Sequence, residues 1–225
     1  MNVFLAILWK DLLTEWRSRD RLVAMLIFSL LVVVVFFFSL PSLPGPDAAA
    51  AGGPGAPGLL WVAYVFAALL GLNRAFSLEL ENDALSGLAL APCDRGWVFL
   101  GKAAASFAIL VVVQGVTAFF FALAFGLDLA PVAAPFALIV ALGSLGLCSV
   151  GTLFAAVAVR TRFREVMLPL LLLPLLIPVL SGAVRATSAL LSTGSLSFEP
   201  LQLLLVTDGV YLVVSFLGFD YVLDE

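Results

Sequence analysis

Long apolar runs separated by short polar breaks dominate the chain. Crossing a hydrocarbon core as a helix takes about 20 residues, so the runs at 22–40, 59–78, 97–126, 136–159, 166–184 and 201–219 predict six spanning helices. The third exceeds what hydrocarbon requires and is expected to tilt or to extend into water. Residues 3–20 differ, because Lys10, Asp11, Glu15, Arg17, Arg19 and Asp20 interrupt them. There Leu5, Leu8, Trp9, Leu12 and Trp16 recur at three- and four-residue spacing, while Lys10, Thr14, Arg17 and Arg21 share another face. The pattern predicts an N-terminal amphipathic helix lying in the membrane interface, its tryptophans at headgroup depth. A helix packed against the chain's own loops is the alternative, on the same membrane face.

Composition agrees with a membrane solvent. The chain is 63% hydrophobic and 12% charged, against about half and about a quarter in soluble domains. The net charge of -4 hides an uneven distribution of basic residues. Lys10, Arg17, Arg19 and Arg21 precede the first span; Arg74, Arg95 and Lys102 flank the loop after the second; Arg160, Arg162 and Arg164 fill the loop before the fifth. Only Arg185 falls on the other side. Cytoplasmic loops carry the excess of lysine and arginine, so both termini are expected in the cytoplasm. The opposite side has a Pro-, Gly- and Ala-rich loop at 41–58, a turn from Asp128 to Pro135, and a Ser- and Thr-rich loop at 185–200. A cleavable signal peptide fits poorly, since acids precede the first apolar run.

The segment 78–102, LELENDALSGLALAPCDRGWVFLGK, lies between the second and third spans. Glu79, Glu81 and Asp83 open a helical turn, where carboxylates favour the positive end of the helix dipole. Leu85 and Leu88 follow with Leu78 on a shared face, and Pro92 ends the helix. A short amphipathic helix held between two spans moves only with them, so a partner gripping it rocks those spans. A solvated linker helix without a partner is the plainer reading.

With its acidic start, leucine-rich helix, Pro92, Arg95 and closing Gly101-Lys102, the segment resembles the cytoplasmic loop of ABC-2-type permeases. Within that class the chain resembles the cytochrome c maturation protein B family, the haem exporter B membrane subunit. The likeness runs through KDLLTEWRSRDRL at 10–22, PGLLWVAYVFAALLGLNRAF at 57–76, LAPCDRGWVFLGK at 90–102, RTRFREVMLPLLLLPLLIPVL at 160–180 and the DYVLDE tail at 220–225. Asn82-Asp83-Ala84 departs from a commoner acidic-acidic-glycine run. The resemblance implies an all-α, ABC-2-type permease with six spans and no catalysis of its own. ATP would be hydrolysed by a separate ABC ATPase subunit docking on Glu79, Glu81, Asp83, Leu85, Leu88, Pro92 and Arg95. The remaining partners it implies are a haem-handling membrane protein and a periplasmic haem chaperone, besides membrane lipid; nucleic acid is not among them.

The residues limit what this chain does itself. It lacks the G-x-x-x-x-G-K-[ST] phosphate loop, and Gly101-Lys102 reads as a helix start. Histidine is absent. Candidate haem ligands reduce to Met1, Met25, Met167, Cys93, Cys148, Tyr64, Tyr211 and Tyr221, with no recognisable pair among them. Haem is therefore expected on partner proteins. Inside the spans the prominent polar residues are Asp208, beside Thr207 and Gly209, and Gln114, one turn from Thr117. Asp208 reads either as a gating or partner contact or as a structural hydrogen-bonding group, for which Gln114 and Thr117 are candidate donors. Pro169, Pro174 and Pro178 are expected to bend or break the fifth span. An ABC-2 permease exporting a lipid, polysaccharide or drug, and a non-transporting scaffold, are the competing functions.

Overall fold

The computed structural model describes residues 3–39, 55–76, 95–159 and 164–224, and among them every element is helical. Helix α1 (Val3–Ser18) is followed by α2 (Asp20–Ser39), α3 (Ala56–Asn73), α4 (Arg95–Phe125), α5 (Ala133–Val159), α6 (Arg164–Thr193) and α7 (Phe198–Asp224). The six from α2 to α7 are long and apolar enough to cross a membrane. The protein is an all-α multi-pass membrane protein. An even number of alternating spans leaves α1 and the end of α7 on one face, called here the terminal face, with the distal face opposite.

Helix α5 packs on α3, α4, α6 and α7, and α3 reaches α2, α4 and α6. The core between them is built from Trp61, Tyr64, Leu72, Phe99, Leu110, Ile139, Leu147, Leu172 and Leu176. Small residues let the helices approach, as is general in membranes, where apolar side chains gain little from leaving lipid. A Cβ on Gly143 would run into the Trp61 ring, and one on Gly151 into Leu72. The outer helices α2 and α7 keep broad apolar surface exposed, including Ile27, Leu31, Val210, Val213 and Leu217.

Three boundaries differ from the hydropathy reading. The expected loop at 185–200 is mostly helix: α6 continues to Thr193 and only 194–197 connect it to α7. Hydroxyl-bearing residues suggested a loop, but Thr187 and Thr193 satisfy theirs on the helix itself, donating to Ala183 O at 2.7 Å and Ala189 O at 2.8 Å. The helix stops at Gly194, whose φ of 69° suits glycine and whose N–H closes on Leu190 O at 2.9 Å. Likewise Asp128–Pro135 is only partly a turn. Asp128 Oδ1 accepts from Ala130 N at 3.1 Å, a 3-10 turn spans Ala130–Val132, and α5 starts at Ala133. Helix α3 ends at Asn73, before the expected 78, in a turn closed by Ala75 N on Leu72 O at 3.0 Å.

The prolines leave α6 unbroken: Pro169, Pro174 and Pro178 all lie inside one 30-residue helix. Between the last two, Leu175 O accepts the Tyr211 hydroxyl of α7. That bond brings an outside donor to a stretch where proline removes backbone donors.

Candidate functional site

The terminal face holds a polar clasp that ties α1 to the bundle. Gly101 and Lys102 lie almost two turns inside α4, deeper than a helix start. A Cβ on Gly101 would meet Ile7 Cγ2 at 3.0 Å and Phe4 O at 3.1 Å, so α1 sits directly on this glycine. One residue on, Lys102 is 1% exposed. Its ammonium donates to Asp11 Oδ2 at 3.1 Å and to Ala75 O at 3.0 Å, and lies 4.6 Å from the centre of the Phe76 ring. A buried ammonium requires such partners, because desolvation without them costs several kcal/mol. A single side chain thus joins α1, the turn after α3, and α4.

Two further contacts brace the same face. Arg95 Nη1 donates to Asp220 O at 3.0 Å, and Gly96 lies against the Phe216 ring, so the start of α4 is held by the last turns of α7. At the elbow between α1 and α2, Arg19 takes a φ of 57°. Glu15 closes that elbow: its Oε1 accepts from Leu22 N at 2.7 Å and its Oε2 from Arg21 Nε at 3.1 Å. A carboxylate at the N-terminus of α2 also meets the positive end of its dipole.

These contacts frame the segment 77–94. Glu79, Glu81, Asp83, Leu85, Leu88 and Pro92 fall outside the described residues, while Arg95 stands half-buried at the start of α4. Ala75 and Phe76 lead into the segment and Arg95 leads out, so both its ends are anchored to other helices. The pairing of Lys102 with Asp11 escaped the sequence reading. Its only trace there was a lysine at the sixth position of the third apolar run, with an acid on the amphipathic helix.

Helix α1 shows two apolar faces where the sequence suggested one. Leu5, Trp9, Leu13 and Trp16 form an exposed stripe, with Trp9 70% and Trp16 74% exposed. Val3, Ile7 and Leu12 pack on the bundle instead. Helix α1 thus packs on α4, not on loops, and leaves a separate apolar stripe exposed.

Within the spans, Gln114 is fully buried and its Oε1 accepts from Ser144 Oγ at 2.5 Å. Its backbone carbonyl takes the Tyr64 hydroxyl at 3.1 Å, while Gln114 Nε2 has no partner among the described residues. Thr117 pairs with Ser29 Oγ at 2.8 Å, linking α4 to α2. Neither residue reaches Asp208. That carboxylate is 2% exposed, packs directly against Gly146 of α5, and neither of its oxygens finds a hydrogen-bond partner among the described residues. A buried polar group left unpaired is costly.

The CcmB protein family model matches residues 2–220. The chain belongs to the CcmB family. Among its relatives, Heme exporter protein B of Paracoccus denitrificans is 33% identical over 190 residues, covering 82% of this chain and 83% of the relative. That of Pseudomonas aeruginosa is 31% identical over 189 residues, 83% and 82% of the two chains. Heme exporter protein B of Bradyrhizobium diazoefficiens is 29% identical over 215 residues, 95% and 94% of the two.

For a CcmB-family chain the placement of possible iron ligands matters. Met25 packs its sulfur into the space above Gly71, where a Cβ would lie 2.6 Å away. The hydroxyls of Tyr64 and Tyr211 are committed to backbone carbonyls, Cys148 is buried, and Tyr221 is 79% exposed on the terminal side of α7. Among the described residues no three His, Cys, Asp or Glu side chains gather where they would hold a metal ion.

Proposed function

We propose that this chain is the membrane permease subunit of an ABC-type complex that exports haem, or releases it from a haem chaperone, in cytochrome c maturation. Its membership of the CcmB family and the names of its relatives support that function over export of a lipid, polysaccharide or drug. ATP is hydrolysed by a separate subunit that grips the segment 79–95 from the cytoplasm, with both termini on that side of a bacterial inner membrane. Haem stays on partner proteins, a haem-handling membrane protein and a periplasmic chaperone; the occupied or solitary methionine, cysteine and tyrosine side chains favour that division of labour.

The Lys102 clasp carries the mechanical part of this reading. An ATPase that moves the segment 77–94 moves Ala75 at one end and Arg95 at the other. Through Lys102 the first reaches α1 and α4, and through Asp220 the second reaches α7. Asp208 is the group on α7 positioned to take up a partner when that helix shifts, because its carboxylate has none among the described residues.

Co-expression with the ATPase encoded beside it provides the test. The paired substitution Leu85→Asp and Leu88→Asp is expected to abolish co-purification in detergent or nanodiscs. Lys102→Met is expected to preserve it while blocking haem attachment to c-type cytochromes. Normal haem attachment in a strain lacking this chain would remove the proposal.

A further inference from the structure

On the distal face, α6 and α7 leave between them a cleft of about 660 Å³. Arg185 and Ala189 line it from α6, and Glu199, Gln202, Leu203 and Val206 from α7. Arg185 is exposed although it lies about two turns before the end of α6 at Thr193. The distal connections 40–54, 126–132 and 194–197 contain no lysine or arginine, so this guanidinium is the single basic group there. Glu199 is the second residue of α7 and stands at the outer rim, also exposed. Although they line one cleft, the two make no ion pair, and neither has a hydrogen-bond partner among the described residues. Below them Leu203 and Val206 are 37% and 59% exposed and continue into the exposed Val210.

An unpaired guanidinium beside an apolar wall favours an anion as its partner. The cleft sets an exposed carboxylate and an exposed guanidinium beside one apolar wall. An aminophospholipid presents the complementary groups, an ammonium and a phosphate on one headgroup with acyl chains attached. A phosphatidylglycerol headgroup would offer Arg185 the same phosphate but would bring no cation to Glu199. We propose that this cleft binds one aminophospholipid of the distal leaflet, with the phosphate on Arg185, the ammonium on Glu199 and an acyl chain along Leu203 and Val206. The site is independent of the haem-maturation reading.

The test is native mass spectrometry of the full chain, delipidated in mild detergent and titrated with phosphatidylethanolamine or phosphatidylglycerol. Wild type is expected to retain phosphatidylethanolamine roughly tenfold better than phosphatidylglycerol, the effect of one charge-assisted contact. Arg185→Gln is expected to lower retention of both by roughly tenfold or more, and Glu199→Gln to abolish the preference while leaving phosphatidylglycerol retention unchanged or stronger. Equal retention of the two lipids by wild type would overturn the proposal. Unaltered retention in Arg185→Gln, or a preference surviving Glu199→Gln, would do the same. Because Glu199 is exposed, its substitution reads selectivity in a folded chain and does not depend on the Arg185 variant remaining intact.

Discussion

Replacing Lys102 by methionine removes one charge while keeping most of the side-chain volume. The ammonium is almost wholly shielded and bonds to Asp11 Oδ2, Ala75 O and the Phe76 ring face. Losing one partner of a fully buried ion pair costs about 3–5 kcal/mol. Asp11 is less isolated than that limit assumes, since its side chain is 16% exposed and Lys10 Nζ approaches its other oxygen at 3.0 Å. Water and the second ammonium offset part of the loss, which leaves about 2–3 kcal/mol for Lys102→Met. Asp11→Asn leaves Lys102 its carbonyl and ring contacts and is expected to cost about 1–2 kcal/mol. The double variant is expected to cost about 1 kcal/mol or more below the sum, because the second change removes a contact already lost. Unfolding titrations of all four proteins in mixed detergent micelles complete the cycle. Additivity to within about 0.5 kcal/mol would show that the two groups do not interact and would refute the clasp.

Gly101→Leu drives a branched side chain into Ile7 and the Phe4 carbonyl, and is expected to release α1; limited proteolysis near Arg17 and Arg19 should accelerate while the six spans stay intact. Gly146→Ala places a methyl group on the Asp208 carboxylate and Val179, with an expected loss of about 1–3 kcal/mol in the same unfolding titration, largely restored by adding Asp208→Ala. Asp208→Asn is expected to raise stability by about 1 kcal/mol or more by removing a buried unpaired carboxylate. It should nevertheless lower haem attachment to c-type cytochromes; full activity would assign Asp208 to packing alone. Single cysteines at Arg95 and Arg185, in a background lacking Cys93 and Cys148, should label with impermeant maleimide only from the cytoplasmic and only from the periplasmic side, respectively.

Hydropathy located all six spans because twenty consecutive apolar residues have few uses besides crossing a bilayer. It misplaced ends wherever polar residues satisfied themselves locally. Thr187 and Thr193 hydrogen-bond within α6, so their polarity did not stop the helix. Pro131 and Pro135 flank the start of α5, where missing backbone donors matter least. Asp208 stood out in the sequence as an acid within an apolar run, and it is indeed buried. Its neighbour was not legible, because Gly146 leaves no mark except the lack of a side chain. Gln114 was legible as a polar interhelical group, while its partner Ser144 looked like any of the many serines. Lys102 was hardest to read, since a lysine near the end of a span ordinarily snorkels to headgroups and here turns inward to Asp11.

The distribution of these contacts separates the two faces mechanically. On the terminal face Lys102, Arg95 and Glu15 bind side chains to backbone and carboxylates across α1, α2, α3, α4 and α7. A displacement applied there is shared by those helices and not absorbed at one joint. Asp208 lies roughly 18 Å along α7 from Asp220 by helical rise, so α7 conveys the motion of Arg95 to the level where α5, α6 and α7 meet. At that level the packing is glycine against carboxylate, with Val179 beside it and no hydrogen bond holding the carboxylate in place. Three residues on from Asp208, the Tyr211 hydroxyl of α7 donates to Leu175 O of α6, so a shift of α7 at that level has to break this bond before the carboxylate can take a partner.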